Sequence, residues 1–438
     1  MGTDLPGVRL RAESDDIDPK ELDLDKRDYP DEDEDLSDIP PVAIEFLKQL
    51  DDAVNSNDHN ELYTLYESDF NRISTKVFKH VSWPLLHELE GAMNEDVSPI
   101  TGLLYFELYY RHIYAQMTPT PEQRMESWYN YCELLKNLIE DYDDLKLPIQ
   151  WQFDILDEFM YQMQAFCQYK AKKGNDEEFQ RITDDSIWDI TTVYSFLSGF
   201  LKNGGILTKN ADGRTVLKEI SADDAALAHN FGYFSIVALV RVHSLLGDYT
   251  EVLKLVDLID ASKISIFVRV SACNISLFYY TGFAYMMTRR LNDSIKIFTQ
   301  ILLYIARTKQ YFTRSIQFGS MMKQNDQMLA LLAIALSLCP QRIDESIQFA
   351  IRDRFGDKFQ RLQKGDEVVL EELFAFASPK FINPVIGNAT TSNASDKLEA
   401  MKLQQKVFMY ESKQYRMLST LRSYVRLYTT LKVSKLAS

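Results

Sequence analysis

Apolar side chains recur every three or four positions along almost the whole chain from Ile39 onward. This spacing is typical of amphipathic helices that bury one side. The segment from Leu62 to Phe78 shows it clearly, and Leu103–Ala115 is apolar or aromatic nearly all round, which indicates a deeply buried helix. With only 16 Gly and 13 Pro in 438 residues, few breakers interrupt the pattern. The sequence therefore predicts an all-α protein built from long helices.

Local signals place the beginnings of two helices. Pro40 and Pro41 precede the first apolar stripe and favour a helix that starts there. Further along, Thr120, Pro121 and Gln123 have the spacing of a capping box, in which the Thr and Gln side chains bond to each other's backbone N–H groups. This motif predicts a helix that begins at Pro121.

Two breaks in the periodicity divide the chain. Residues 202–222 contain the turn dipeptides Asn203-Gly204 and Asp212-Gly213, which predict a loop or short hairpin. Residues 386–396 are polar and low in complexity, which predicts a flexible loop. The expected organisation is an acidic disordered tail at 1–38, a helical array at 39–201, the loop at 202–222, helical pairs at 223–385, the loop at 386–396, and a basic C-terminal segment at 397–438.

The segment 223–385 contains a loose repeat of paired helices. Apolar segments meet at turns near residues 247, 289 and 341. The order of small residue, aromatic residue, turn, small residue, aromatic residue resembles the tetratricopeptide plan, and it is clearest at Gly282, Tyr285, Ser294 and Phe298. Such pairs cover one another's apolar faces by stacking. We therefore expect a right-handed tetratricopeptide-like solenoid with faces open to partners.

Charge is unevenly spread over a chain whose net charge is −16. Residues 1–40 hold 15 acids and 5 bases, a net of −10, whereas residues 396–438 hold 3 acids and 9 bases, a net of +6. An acidic segment with few large apolar residues cannot offset its chain entropy, so we expect 1–38 to be disordered. It is either a solvating extension or an acidic peptide that docks on a basic partner. The overall acidity argues against a protein dedicated to nucleic acid or membrane surfaces.

Cysteine usage and hydropathy bound the location of the protein. Four Cys without metal-ligand spacing predict reduced, buried thiols in a cytosolic or nuclear protein, and we expect a cytoplasmic one. The N-terminal residues lack the apolar stretch of a signal peptide. The most apolar run, Met328–Cys339, is too short to span a membrane and predicts a core helix.

No residue constellation in the sequence indicates catalysis. The six His have no second His or Cys at ligand spacing, and there is no phosphate-cradling Gly-rich loop. Asp154, Asp157 and Glu158 place three carboxylates on one side of a helix. They suggest either a metal or acid site or, more simply, a solvated face opposite an apolar stripe. We predict no enzyme activity, no cofactor, no metal and no small-molecule substrate.

The basic C-terminal helix is the one candidate contact surface. Basic residues interleave there with tyrosines, a composition that can hold an RNA backbone and stack bases. Leu418, Leu421, Val425 and Leu427 equally give the helix an apolar packing face, with the bases solvated. Both interpretations stay open. The residues that would carry RNA or partner contact are Arg416, Arg422, Arg426 and Lys432.

Several strings, in order along the chain, carry a family resemblance. They are ELYYRHIYA at 107–115, HSLLGDY at 243–249, GFAYMM at 282–287, ILLYIARTK at 301–309, QMLALLAIAL at 327–336, RIDESI at 342–347 and LYTT at 427–430. From about residue 39 to the end, the chain resembles the subunit L family of eukaryotic translation initiation factor 3. The resemblance implies an all-helical array that leads into the helical part of a PCI domain.

The same resemblance implies a role and partners. It implies a non-catalytic scaffold that binds subunits K and E and helps recruit mRNA and initiator tRNA to the small ribosomal subunit. The family continues after a segment like Leu431–Ser438 into a winged helix, so we expect this chain to be truncated before that module. The alternatives are a PCI scaffold of another assembly, such as a proteasome lid or signalosome-like complex, and an RNA-binding adaptor.

Overall fold

A computed structural model describes residues 39–140, 145–173, 186–209, 215–218, 226–259, 269–312, 317–383, 399–427, 430 and 432–434. The predicted acidic tail at 1–38 and the predicted loop at 386–396 lie outside these residues. The described chain falls into two compact units. The first unit holds the residues up to Trp151 together with Phe312–Lys323, and the second unit holds Gln152–Tyr311 and the residues from Gln324 onward.

Helices dominate both units, which confirms the all-α prediction. They are α1 Pro41–Ser56, α2 His59–Thr64, α3 Phe70–Lys76, α4 Leu86–Met93, α5 Pro99–Gln116, α6 Pro121–Glu140, α7 Ile149–Lys173, α8 Ile190–Asn203, α9 Leu227–Leu246, α10 Tyr249–Val256, α11 Ser271–Met287, α12 Leu291–Phe312, α13 Phe318–Leu338, α14 Glu345–Gln363, α15 Glu367–Ala377 and α16 Glu399–Leu427. A single π-helical turn, Leu65–Asp69, joins α2 to α3.

The first unit is organised around α5, the helix that the sequence predicts to be buried all round. Its tyrosines Tyr105, Tyr109, Tyr110 and Tyr114 are all buried, which confirms a core role for them. The predicted capping box also forms, because the Thr120 backbone N–H donates to Gln123 Oε1 at 3.0 Å and the Gln123 N–H donates to Thr120 Oγ1 at 3.2 Å. This box starts α6, which packs along α5.

A buried carboxylate lies at the centre of the first unit. Glu107 is fully buried and accepts hydrogen bonds from Arg111 Nε at 3.1 Å, Tyr131 Oη at 3.2 Å and Trp151 Nε1 at 3.0 Å. Arg111 also donates to the Tyr66 hydroxyl, and the Tyr66 ring stacks on Trp151 with centroids 4.8 Å apart. A buried charge is tolerated only when its hydrogen bonds are made, and here they are. The network ties α5 to α6 and to the start of α7.

In the second unit, the predicted break at 202–222 contains a short hairpin. Strand β1, Leu207–Lys209, pairs antiparallel with β2, Thr215–Leu217, with Leu207 opposite Leu217. The hairpin follows a close helix contact, because a Cβ on Gly204 would lie 2.7 Å from the backbone oxygen of Ala228. Glycine at the end of α8 therefore lets α8 and α9 approach backbone to backbone.

The helical repeat of the second unit has the local geometry that the sequence predicts. Gly247 ends α9 in the left-handed conformation with φ +81°, and the Asp248 side chain then caps α10. In the next pair, Ser294 Oγ donates to the Gly282 backbone oxygen at 2.8 Å, and Phe298 is fully buried against Gly282. Sequential packing of α8, α9, α10 and α11 makes this part of the unit a helical-repeat, solenoid-like array.

Candidate protein-interaction surface

The C-terminal helix α16 is attached to the second unit by one face. Phe408 is buried and stacks on Phe374 of α15, with ring centroids 4.5 Å apart and planes 9° from parallel. One turn further, Ser412 is buried, and Glu411 forms an ion pair with Arg289. These positions are three or four residues apart, so they lie on one side of the helix.

A polar contact fixes the same face near its N-terminal end. The Tyr249 hydroxyl donates to Gln404 Oε1 at 2.8 Å. The burial that accompanies this contact raises the pKa of Tyr249 above its ordinary value, so the hydroxyl stays protonated and available as a donor. At the other end of the contact, the Tyr415 hydroxyl donates to the backbone oxygen of Arg289. The inner face of α16 therefore packs against the rest of the second unit. We define this face by Gln404, Phe408, Glu411, Ser412 and Tyr415.

Replacing Tyr249 by Phe tests this attachment. Tyr249→Phe removes the hydroxyl and keeps the ring, so Gln404 loses a donor at a partly buried position. A net hydrogen bond contributes about 1 kcal/mol. We expect amide hydrogen exchange in the α16 peptides to rise roughly fivefold at that cost, while peptides of α5 stay unchanged as the internal control. Equal exchange of α16 in both proteins would show that this contact does not hold the helix.

The outer face of α16 carries apolar residues that its own chain leaves exposed. Leu403 is 56% exposed, Val407 45% and Tyr410 64%, and Leu421 and Tyr424 further along are exposed as well. At 3.6 residues per turn, these five positions fall within about 100° of arc. We call them the outer stripe. Lys402, Lys406 and Lys413 are exposed beside it.

The four predicted contact residues divide into two groups. Arg416, Arg422 and Arg426 belong to α16, and their side chains lie outside the described part of the structure. Lys432 follows the end of the helix and is exposed. The outer stripe supplies Leu403 and Val407, which the sequence interpretation did not single out, beside Tyr410, one of the tyrosines that interleave with the bases. Their spacing of four and then three residues was the available signal.

The carboxylates of α7 fit the solvated-face interpretation of the sequence only in part. Asp154 is only 5% exposed, and Asp157 accepts a hydrogen bond at 2.7 Å from Arg241 of α9. Glu158 is half-buried and accepts from Gln162 at 2.9 Å. Buried Asp154 contradicts the solvated-face interpretation, whereas Asp157 binds α9 with its side chain still 40% exposed and Glu158 binds within its own helix. Among the residues that the structure describes, no group of three or more His, Cys, Asp or Glu could hold a metal.

Three thiols, those of Cys132, Cys167 and Cys273, have pKa values raised by partial or complete burial. Burial raises the pKa of Cys132 to about 12 and that of Cys167 to about 11, and it raises the pKa of the fully buried Cys273 strongly. A protonated thiol is a poor nucleophile. The chemistry at these positions is therefore that of small apolar side chains.

A groove of about 520 Å³ lies between the end of α13 and α14 of the second unit. Its polar lining consists of amides, together with Arg352 and Asp357, and the residues described there include no Ser, Cys or His. Such a lining suits hydrogen bonding to a backbone rather than acid–base chemistry. Across the described helices, none is both long and apolar enough to cross a membrane.

Comparison with known proteins identifies the family of the chain. A family model described as RNA polymerase I-associated factor PAF67 matches residues 123–438, which include the whole of the second unit. The chain is 44% identical over 389 residues to eukaryotic translation initiation factor 3 subunit L of Xenopus laevis, covering 85% of this chain and 68% of that protein. The chain belongs to the subunit L family of eukaryotic translation initiation factor 3.

Other members of the subunit L family extend the similarity. The Nematostella vectensis subunit L is 40% identical over 413 residues, which are 91% of this chain and 78% of that protein. The Homo sapiens subunit L is 42% identical over 388 residues, 85% of this chain and 68% of that protein. The resemblance seen in the sequence is thereby confirmed, and α16 with its outer stripe lies inside the region that the family model matches.

Proposed function

We propose that this chain is a non-catalytic scaffold subunit of the initiation factor 3 complex. In this role it acts in the cytoplasm, through protein–protein contacts, in recruiting mRNA and initiator tRNA to the small ribosomal subunit. Subunits K and E are its expected neighbours. The observation that carries the proposal is membership of the subunit L family, at 40–44% identity over most of the chain.

Two structural features support a scaffold: buried polar groups that bind other groups of the same chain, and apolar side chains that stay exposed. Glu107 and Asp157, two of the half-buried or buried carboxylates, bind the arginines Arg111 and Arg241 within the helical packing. The exposed apolar residues include the five of the outer stripe of α16. These carboxylates therefore stabilise the packing of the chain, and the exposed apolar side chains are available for contact with neighbouring proteins.

Affinity capture tests the proposal directly. The tagged chain is recovered from eukaryotic cytosol with and without ribonuclease treatment, and co-purifying proteins are identified and quantified by mass spectrometry. We expect subunits E and K to be enriched over a tag-only control in both samples, since protein contacts do not need RNA. Recovery of proteasome-lid or signalosome subunits instead would favour a PCI scaffold of another assembly. Loss of every initiation factor subunit after ribonuclease would contradict a scaffold role.

A further inference from the structure

The outer stripe of α16 consists of two apolar segments on one line of the helix, separated by three turns that include Gln414. Single exposed apolar residues are normal on protein surfaces, whereas contiguous patches mark binding sites. Leu403, Val407 and Tyr410 lie on consecutive turns, and Leu421 and Tyr424 continue the strip three turns later. The inner face is already occupied by Phe374, Tyr249 and Arg289. Val407 lies at the edge of the inner face, where it also borders a small cavity beside Met286 and Leu338, and Leu403 and Tyr410 lie further from the contacts that hold the helix.

The spacing of the stripe is that of a coiled-coil seam. Positions 403, 407, 410, 421 and 424 fall on the alternating four- and three-residue steps of a heptad repeat, whose two intervening seam positions are Gln414 and Met417. A helix with such a seam packs against a second helix by inserting its side chains between those of the partner. Among the common docking modes, this favours a helical partner over an extended peptide or a flat surface.

The positive charge of α16 indicates which kind of partner helix would bind the stripe. Residues 399–427 contain six bases and two acids, a net of +4 within a chain of net −16. Exposed Lys402, Lys406 and Lys413 flank the stripe on one side. A second copy of α16 would bring the same positive charge against them, which is unfavourable, whereas a helix with Glu or Asp at its flanking positions would pair with them.

We propose that the outer stripe of α16 docks an acidic amphipathic helix from another subunit, as a short two-helix coiled coil. The proposal rests on the scaffold function proposed above. Lys413 lies 3.2 Å from Glu367, but both side chains are about half exposed, so this surface pair is weak and exchangeable for a partner carboxylate. RNA is disfavoured as the occupant because Leu403 and Val407 offer it neither charge nor a stacking ring.

A designed peptide provides a defined probe. We use the full chain and a fluorescent 28-residue helix with Leu at its a and d positions and Glu at its e and g positions, and we measure binding by anisotropy. The same peptide with Lys at e and g is the charge control. We expect the Glu peptide to bind and the Lys peptide to bind at least about tenfold more weakly.

Matched variants locate the binding. Val407→Glu with Tyr410→Glu places charge on the stripe, and Lys406→Glu with Lys413→Glu reverses the flank; each pair should weaken the Glu peptide roughly tenfold or more. The control is Tyr311→Glu, which changes a tyrosine that is 75% exposed and lies off the stripe, and it should leave binding unchanged. Circular dichroism confirms that each surface variant keeps its helices.

Three results of the peptide experiment would overturn the docking proposal: equal binding by all variants, preference for the Lys peptide, or displacement of the Glu peptide by a single-stranded RNA. Concentration-dependent self-association that Val407→Glu with Tyr410→Glu abolishes would assign the stripe to a second copy instead. Capture of initiation factor subunits separates this proposal from the scaffold function. Intact capture by the stripe variant contradicts the docking proposal alone, whereas failed capture by the unaltered chain contradicts the scaffold function.

Discussion

Glu107→Ala should destabilise the first unit by about 3–5 kcal/mol, the usual cost of breaking a buried ion pair. The substitution leaves the Arg111 guanidinium, the Tyr131 hydroxyl and the Trp151 indole N–H without their shared acceptor. A buried donor left without a partner carries the desolvation penalty of that group. Urea unfolding followed by tryptophan fluorescence measures the loss, because Trp83, Trp128 and Trp151 all belong to the first unit.

A surface pair in the same unit gives the matched control for Glu107→Ala. Arg72 binds Asp69 at 2.9 Å near the surface, and Arg72→Ala should cost no more than about 1 kcal/mol. If the two variants unfold at the same urea concentration, the buried carboxylate does not organise α5, α6 and the start of α7. A larger loss for Glu107→Ala confirms that it does.

Gly282→Val should destabilise the second unit by about 1–3 kcal/mol through overpacking. A Cβ at this position would lie 2.5 Å from Phe298 Cε1 and 2.7 Å from Cζ, and Phe298 is fully buried, so its ring has no free space. Forcing α11 and α12 apart also lengthens the Ser294 hydrogen bond to the Gly282 oxygen. Hydrogen exchange in peptides of α11 and α12 should become about tenfold faster or more, since 1.4 kcal/mol corresponds to tenfold.

Gly356→Ala separates this steric effect from helix propensity. Nothing lies within 4 Å of a Cβ built on Gly356 of α14, so Ala fits there without a clash. Ala is the better helix former by roughly 0.5–1 kcal/mol in a regular helix, but α14 is kinked at Phe355 beside Gly356, so we expect Gly356→Ala to be close to neutral. Destabilisation of both variants by the same amount would mean that the contact with Phe298 is not the cause.

The features that the sequence predicted well are local ones. Thr120 and Gln123 are three residues apart, and Gly282, Ser294 and Phe298 lie within one helical pair, so short-range geometry determines their contacts. The Gly247 turn belongs to the same class. A periodic stripe and a turn residue act over a few positions, and they can be recognised without knowledge of the tertiary fold.

Long-range polar contacts and exposure could not be predicted in this way. Glu107 accepts a hydrogen bond from Trp151, 44 positions later in the sequence, and Asp157 accepts one from Arg241, 84 positions later. Sequence spacing gives no information on such long-range hydrogen bonds. For this reason the sequence allowed Asp157 to be interpreted as a solvent-facing carboxylate. Whether Val407 is core or surface likewise depends on which face of α16 the chain itself covers. The fold class was therefore predictable, and the candidate site largely was not.

Hydroxyl-radical footprinting of the isolated chain and of the purified initiation factor complex tests most directly whether α16 serves a neighbour. Labelling reports the solvent exposure of individual side chains. In the isolated chain, Leu403, Val407 and Tyr410 should be labelled and Phe408 should be protected. In the complex, all four side chains should be protected. Equal labelling of Leu403, Val407 and Tyr410 in both samples would contradict a partner-binding role for this helix.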